Sequence, residues 1–282
     1  MRQIVVISGK GGTGKTIITA SFAVLAKSKV MADCDVDAAD LHLLLHPEII
    51  ESNEFYSGKI ASINKEICQE CHKCIEVCRF SAIGKNFVID SISCEGCGIC
   101  GLICPVEAIK MEDSLSGEWF VSETKYGPMV HAKLGVAKEN SGKLVSLVRQ
   151  NAKKIAEEQN KDYVIIDGPP GIGCPVIASL VNVDLALIVT EPTLSGIHDM
   201  ERVADVTKHF GVNTKVVMNK YDINLKNTHA IEEFCEARDI EIVAQLPFSE
   251  EVINSLVEGI PIVEFFNGQV TKDIIDLWDR VK

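Results

Sequence analysis

The sequence predicts an α/β protein whose mostly parallel, doubly wound sheet is interrupted by a small cysteine-rich module. Three observations predict it. Short runs rich in Val and Ile alternate with segments of helical spacing along most of the 282 residues, the pattern of a parallel sheet covered on both faces. A glycine loop, GKGGTGKT at residues 9–16, separates the first such run from the first helical segment. Eight cysteines between residues 68 and 104 form two copies of one spacing, which core packing alone does not explain.

The elements follow in order. QIVVIS at residues 3–8 is a β-branched run that breaks at Gly9, and TIITASFAVLAKS carries helical spacing, so this region reads as strand, loop and helix. KVMADCDVDAADLHLLL reads as a second strand ending near Asp33, followed by a loop and a helix. WFVSETKYGPMVHAKL reads as two short strands about a Tyr126-Gly127-Pro128 turn, with a helix near 142–159. DYVIIDGPPG is a buried strand ending in a glycine-proline loop; DLALIVTEP, TKVVMNKYD and EIVAQLPF are three more, separated by helical sequence.

Ligands of such sheets sit beyond the carboxyl ends of the strands. The loops after Ser8, Ala32, Ile166, Thr190, Met218 and Leu246 should therefore meet at one site. The α/β domain is assigned to residues 1–62 and 113–282, and the inserted module to 63–112.

The composition narrows the function classes. With 46% hydrophobic residues, the chain can bury a sizeable core. No apolar run reaches the length of a membrane span, and the N-terminus lacks a secretory leader pattern. Eleven cysteines without such a leader read as thiols of a reducing compartment, so the cytoplasm is expected. A net charge of −12 argues against broad nucleic-acid binding and favours basic partners. In VTKDIIDLWDRVK, positions 270, 274, 277, 278 and 281 line one helical face, and three basic residues are balanced by three aspartates. A docking helix is expected there, not a membrane anchor.

Gly9-Lys10-Gly11-Gly12-Thr13-Gly14-Lys15-Thr16 fits G-x-x-x-x-G-K-[ST]. The glycines let backbone N–H groups surround phosphate oxygens, Lys15 reaches the β- and γ-phosphates, and Thr16 offers its hydroxyl to Mg²⁺. The second loop lysine, Lys10, gives the deviant pattern K-G-G-x-G-K-[ST]. With it, the sequence resembles the MinD/ParA/Mrp family of P-loop ATPases, which also contains the nitrogenase iron protein.

The resemblance implies a P-loop NTPase sheet, ATP hydrolysis, and a homodimer that sandwiches nucleotide, with Lys10 touching phosphate bound by the other subunit. It matches Asp35, in ADCDVDAAD, to the aspartate that orients the attacking water. It matches Asp167, in VIIDGPPGIG, to a Mg²⁺ ligand acting through water, and Asn219 to an adenine-binding asparagine. Asn219 to Asp222, NKYD, also fits the guanine-reading N-x-x-D pattern. Lys10 and the two acidic strand ends favour ATP.

C-x2-C-x2-C-x3-C occurs at Cys68, Cys71, Cys74 and Cys78, and recurs with identical spacing at Cys94, Cys97, Cys100 and Cys104. This resembles bacterial ferredoxins and implies a small α+β ferredoxin-like domain holding two 4Fe–4S clusters. In that pattern the fourth cysteine of each run ligates the other cluster. Cys68, Cys71, Cys74 and Cys104 would hold one, and Cys94, Cys97, Cys100 and Cys78 the second. Pro105 follows the last cysteine as the pattern expects, whereas Arg79 stands after Cys78 in place of proline.

Zinc is the rival ligand of paired C-x2-C runs. Cys34 and Cys235 read as small apolar fillers. Cys174 reads as a buried structural cysteine; its alternative is the interface cluster that a cysteine at that place holds in the nitrogenase iron protein.

Together the two resemblances imply an ATPase that couples a dimer switch to electron transfer through its own clusters, with an unidentified redox or cofactor-assembly protein as partner. The alternatives are an iron–sulfur carrier or assembly ATPase, and a MinD/ParA-like positioning switch with structural or sensing clusters.

Overall fold

The computed structural model describes residues 1–136 and 140–282. Its elements are β1 (Arg2–Ser8), α1 (Lys15–Leu25), β2 (Lys29–Asp33), α2 (His42–Leu45), β3 (Glu48–Ile63), α3 (Lys73–Val77), α4 (Ile99–Leu102) and β4 (Ile109–Thr124). They continue as β5 (Gly127–Leu134), α5 (Ser141–Glu158), β6 (Tyr163–Pro170), α6 (Cys174–Leu180), β7 (Leu185–Thr190), α7 (Leu194–His209) and β8 (Thr214–Asn219). A 3₁₀ turn at Tyr221–Ile223 precedes α8 (Leu225–Ala237), β9 (Glu241–Leu246), α9 (Glu250–Val257), α10 (Ile262–Phe265) and α11 (Gln269–Val281).

Among the described residues the strand order is β3-β4-β5-β2-β6-β1-β7-β8-β9. The chain divides into two compact units. The first comprises Met1–Ser52, Trp119–Lys133 and Ser141–Lys282, and the second Asn53–Glu118 and Leu134–Asn140. The segment 63–112 falls within the second.

In the first unit β1 pairs in parallel with β6 and β7, β2 with β5 and β6, and β8 with β7 and β9. β1 is buried from Ile4 to Ser8, as a central strand covered on both faces must be. The helix side of the core is closed by α11, whose Val270, Ile274, Leu277, Trp278 and Val281 are buried. Trp278 lies 5.0 Å from the ring of Phe22 on α1 and 5.3 Å from that of Tyr163. Removing the fully buried Phe22 ring would cost about 3–5 kcal/mol. The face expected to dock against the domain is thus inside it, and among the described residues no helix is long and apolar enough to cross a membrane.

The second unit repeats itself in structure as in sequence. The N–H of Cys68 donates to Asn64 O at 3.1 Å, and that of Cys94 to Asp90 O at 3.0 Å. Asn64 Oδ1 accepts from the N–H of Glu66 at 2.9 Å, and Asp90 Oδ1 from that of Ile92 at 3.0 Å. α3 starts after His72 and α4 after Gly98, both left-handed. The small core of this unit is Ala61, Cys74, Ile83, Phe87 and Ile109.

Three local expectations need correction. β3 covers residues where no strand was expected: its first seven residues include no buried position, and the buried Phe55, Ser57 and Ala61 are too few to mark a strand by periodicity. β4 runs for 16 residues, far beyond a short strand, and Gly127 and Pro128 belong to β5 instead of the turn. The helix after Asp33 is a single turn, α2, ended by His46 at φ 47.

Candidate nucleotide site and thiol module

The strand ends of the first unit bring the predicted phosphate loop together with its acidic partners. Residues 9–14 join β1 to α1, and Gly14 caps the helix at φ 97. Only glycine suits that position: the conformation is left-handed, and a Cβ would meet the Asn219 side-chain nitrogen at 2.5 Å. Lys15 is 5% exposed, and its Nζ lies 4.0 Å from Asp35 Oδ2.

Thr16 Oγ1 donates to Asp167 Oδ2 at 2.8 Å, and Thr19 Oγ1 donates to Asp167 Oδ1 at 3.0 Å. Sequence patterning alone does not point to Thr19, although it lies one helical turn beyond Lys15 and so on the same face. The parallel register sets Asp33 beside Asp167.

Three carboxylates in so small a space repel one another and lose hydration. Asp33 is fully buried, and its carboxyl is raised well above the usual range by desolvation and then by Asp167. Asp167 is also raised, burial outweighing the counteraction of Lys15 and the hydrogen bonds from Thr16 and Thr19. Asp35 is pushed up to about 6, chiefly by burial, with Lys15 opposing. Among the described residues, Thr13 Oγ1 and Asp33 Oδ2 are buried without a hydrogen-bond partner. A buried hydroxyl on a phosphate loop and an unmatched carboxylate oxygen fit a phosphate and a divalent cation, respectively, since each restores a missing interaction.

Lys10 occupies a different place. Its Nζ is 2.6 Å from Glu191 Oε1 and 3.1 Å from both Thr193 Oγ1 and Ser195 Oγ. Glu191 Oε2 also accepts from Lys220 Nζ at 3.1 Å. The Glu191 carboxyl lies below its usual range: burial raises it, but the two lysines outweigh burial. Glu191, Thr193 and Ser195 fall in EPTLSGIHD, which the family resemblance matches to a place beside the nucleotide; the contact with Lys10 itself is not legible in that stretch.

Asn219 Nδ2 donates to Thr13 O at 2.8 Å, and its Oδ1 accepts from the N–H of Lys220 at 3.0 Å. The loop after β9 meets the one after β8. The N–H of Phe248 donates to Asp222 Oδ1 at 2.8 Å.

In the second unit the eight repeated cysteines separate into two sets. One cavity is lined by Cys68, Cys71, Cys74 and Cys104 together with Gln69, Lys73 and Phe87. The other is lined by Cys78, Cys94, Cys97 and Cys100 together with Phe80, Glu95 and Ile99. Each set takes three cysteines from one run and the fourth from the other.

The backbone around both is turned alike. Glu70 and His72 have φ 51 and 61, and their repeat equivalents Gly96 and Gly98 have φ 63 and 75. Ser81 and Glu107, which also correspond in the repeat, have φ 53 and 52. Left-handed residues set among right-handed ones point successive N–H groups into a concavity, a geometry common to anion and iron–sulfur sites. For Glu70 and His72 it carries a backbone cost, which a ligand-binding role would account for.

Among the described residues, no group of three or more His, Cys, Asp or Glu side chains is gathered closely enough to hold a single metal ion. The donor set nonetheless suits a cluster. Tetrahedral thiolates around one ion with 2.3 Å bonds stand only about 4 Å apart, whereas a four-iron cube separates its ligands more widely and needs cysteine donors.

The remaining cysteines divide. Cys34 and Cys235 are buried, as expected of fillers, whereas Cys174 is exposed and corrects the expectation of a buried residue. It is the first residue of α6, with Pro175 behind it, so it stands at the open end of the helix and not under it.

A phosphate loop at the start of α1, with acidic residues at the ends of β2 and β6, defines a nucleotide-binding P-loop protein. The profile of the CobQ/CobB/MinD/ParA nucleotide binding domain matches residues 4–262, and the chain belongs to that family. It is 36% identical over 286 residues to an uncharacterized protein of Methanocaldococcus jannaschii, covering 99% of this chain and 96% of the relative. It is 23% identical to the septum site-determining protein MinD of Thermotoga maritima, covering 99% and 87% of the two chains.

The fold is similar to that of the cell division ATPase MinD of Pyrococcus furiosus, with a TM-score of 0.62 at 20% identity over 99% of this chain and 98% of that one. It is equally similar, at 0.62 and 19% identity over 99% and 95%, to MinD of Pyrococcus horikoshii, solved as a complex with Mg-ADP.

Proposed function

We propose that this protein hydrolyses ATP and couples the associated dimer switch to one-electron transfer through two 4Fe–4S clusters in a ferredoxin-like module at residues 63–112. The observation that carries the redox half is the sorting of eight cysteines into two cavities with three-plus-one parentage. In this reading Cys68, Cys71, Cys74 and Cys104 hold one cluster, and Cys94, Cys97, Cys100 and Cys78 hold the second. Bound there, the clusters would supply one-electron carriers.

The protein's own residues supply the nucleotide chemistry. The N–H groups of residues 9–14 and the start of α1 cradle the phosphates, and Lys15 compensates their negative charge. Thr16 offers its hydroxyl to Mg²⁺, and Asp167 holds that ion through water. The existing Thr16–Asp167 hydrogen bond keeps the two groups within reach of one another. Asp35 orients the attacking water. Lys10 reaches the nucleotide of a second copy, so it must first leave Glu191.

ATP is favoured over GTP by Lys10, the second loop lysine, and by Asp35 and Asp167, which match the ATPase pattern. The likeness to a MinD structure complexed with Mg-ADP supports the same choice.

The test is analytical. Protein purified without oxygen should contain about eight irons and eight acid-labile sulfides per chain and show a reducible 4Fe–4S signal. Cys68→Ala and Cys94→Ala should each lose one cluster preferentially. Stoichiometric zinc without sulfide would remove the redox half and leave the ATPase half standing.

A further inference from the structure

We infer that the end of the module bearing Cys94, Cys97 and Cys100 is the docking face for a basic one-electron carrier protein. This inference rests on the two-cluster reading above. The internal repeat supplies its own control, because each position of the first run has an equivalent in the second. Where the first run has Glu66, Lys73 and Glu76, the second has Ile92, Ile99 and Leu102.

All three apolar residues face solvent, at 63%, 45% and 87% exposure respectively. Ile99 and Leu102 are three apart on α4 and so share a helix face. Phe80, 46% exposed, lines the same cavity as Cys97 and Ile99. The corresponding rim of the other cavity presents Gln69 and Lys73. Three positions run against the trend: Ile67 stands opposite Ser93, Val106 opposite Phe80 lines the other cavity, and Glu95 stands opposite Gln69.

Folding alone gives no reason to replace Glu66, Lys73 and Glu76 of one run by solvent-facing Ile92, Ile99 and Leu102 in the other. An apolar patch beside an electron donor, in contrast, excludes water when a partner docks and brings the centres close. Charge selects the partner. Residues 63–112 carry five Lys and Arg against seven Asp and Glu, and eight thiolates around two oxidised clusters add about −4. A partner with a basic rim around an apolar contact fits both features. In each transfer one reduced cluster is oxidised by one electron and one acceptor centre is reduced by one, with no bond or proton changed.

The probe is a basic cytochrome c, mixed by stopped flow with the full-length protein that has been reduced by dithionite and freed of it. The Ile92→Ser, Leu102→Ser double variant, which alters apolar area but not charge and leaves the lining of the cysteine cavity intact, should reduce cytochrome c about fivefold more slowly or worse. Its reaction with ferricyanide, which needs no protein docking face, should stay within about twofold of the parent. Ile67→Ser, at the other end, should leave the cytochrome rate unchanged. A double variant that keeps the parental cytochrome rate would overturn the inference, as would an equal loss from Ile67→Ser. Absence of iron and sulfide from the parent protein would overturn the cluster reading itself, and this docking face with it.

Discussion

Lys10 Nζ lies 2.6 Å from Glu191 Oε1, so the loop lysine that the family resemblance assigns to a second copy's nucleotide is held within its own chain. Lys220 holds the other oxygen of the same carboxylate at 3.1 Å. Both lysines are partly exposed, so the pair is weaker than a fully buried one. Releasing Lys10 is therefore a modest cost that dimer formation must meet.

Glu191→Gln should remove that cost. ATP-dependent dimerisation, followed by sedimentation or light scattering, is expected at about three- to tenfold lower protein concentration than in the parent. Lys10→Ala should abolish the ATP effect in either background. Unchanged dimerisation of Glu191→Gln would mean that the ion pair does not restrain Lys10.

The phosphate loop and the acidic strand end should separate binding from hydrolysis. Lys15→Ala should lose nucleotide binding by calorimetry, whereas Asp35→Ala should bind ATP but turn it over at least about 100-fold more slowly. ATP should be preferred to GTP in kcat/KM. A strong preference for GTP would reassign Asn219 and Asp222 to guanine.

Asp35 also makes stability depend on pH. Its folded-state value is pushed up to about 6, from an ordinary value of 3.8. Between those two values the unfolded chain is ionised while the folded carboxyl still holds its proton, so folding stability falls as pH rises through that window. Below it there is no penalty; above it the penalty is constant. In the absence of nucleotide and Mg²⁺, Asp35→Asn should therefore stabilise the protein at pH 7 by about 1–2 kcal/mol, with the gain fading towards pH 4. A gain independent of pH, measured by denaturant unfolding under anaerobic conditions, would show that ionisation is not its source.

Much of the nucleotide site is legible in the sequence because its chemistry is local. Glycines, Lys15 and Thr16 lie within one loop, and β6 carries Asp167 to it through a buried apolar strand that periodicity reveals. The same holds for the cysteine repeat, whose pairing into three-plus-one sets comes from a known spacing.

What is not legible depends on distance along the chain or on weak patterning. Glu191 meets Lys10 from a remote part of the chain, and no local motif announces the contact. Asn219 turns to the Thr13 carbonyl because Gly14 leaves room for its amide, a fit visible only once the strands are side by side. β3 escapes periodicity because its first seven residues have no buried position to impose alternation, and the exposure of Cys174 follows from its place at a helix end.

The central claim is that nucleotide state and cluster redox state are coupled, and reduction potential tests it most directly. The ATP-bound Asp35→Ala protein, slowed in hydrolysis, should differ measurably in cluster potential from the ATP-bound Lys10→Ala, Asp35→Ala double variant. The two proteins should agree when ATP is absent. A difference of roughly 60 mV requires only about 1.4 kcal/mol of differential interaction for a one-electron couple, within the reach of altered burial or hydrogen bonding around the cysteines. Potentials that coincide in both proteins, with and without ATP, would contradict the coupling and leave the cysteine module as a passenger on an ATPase.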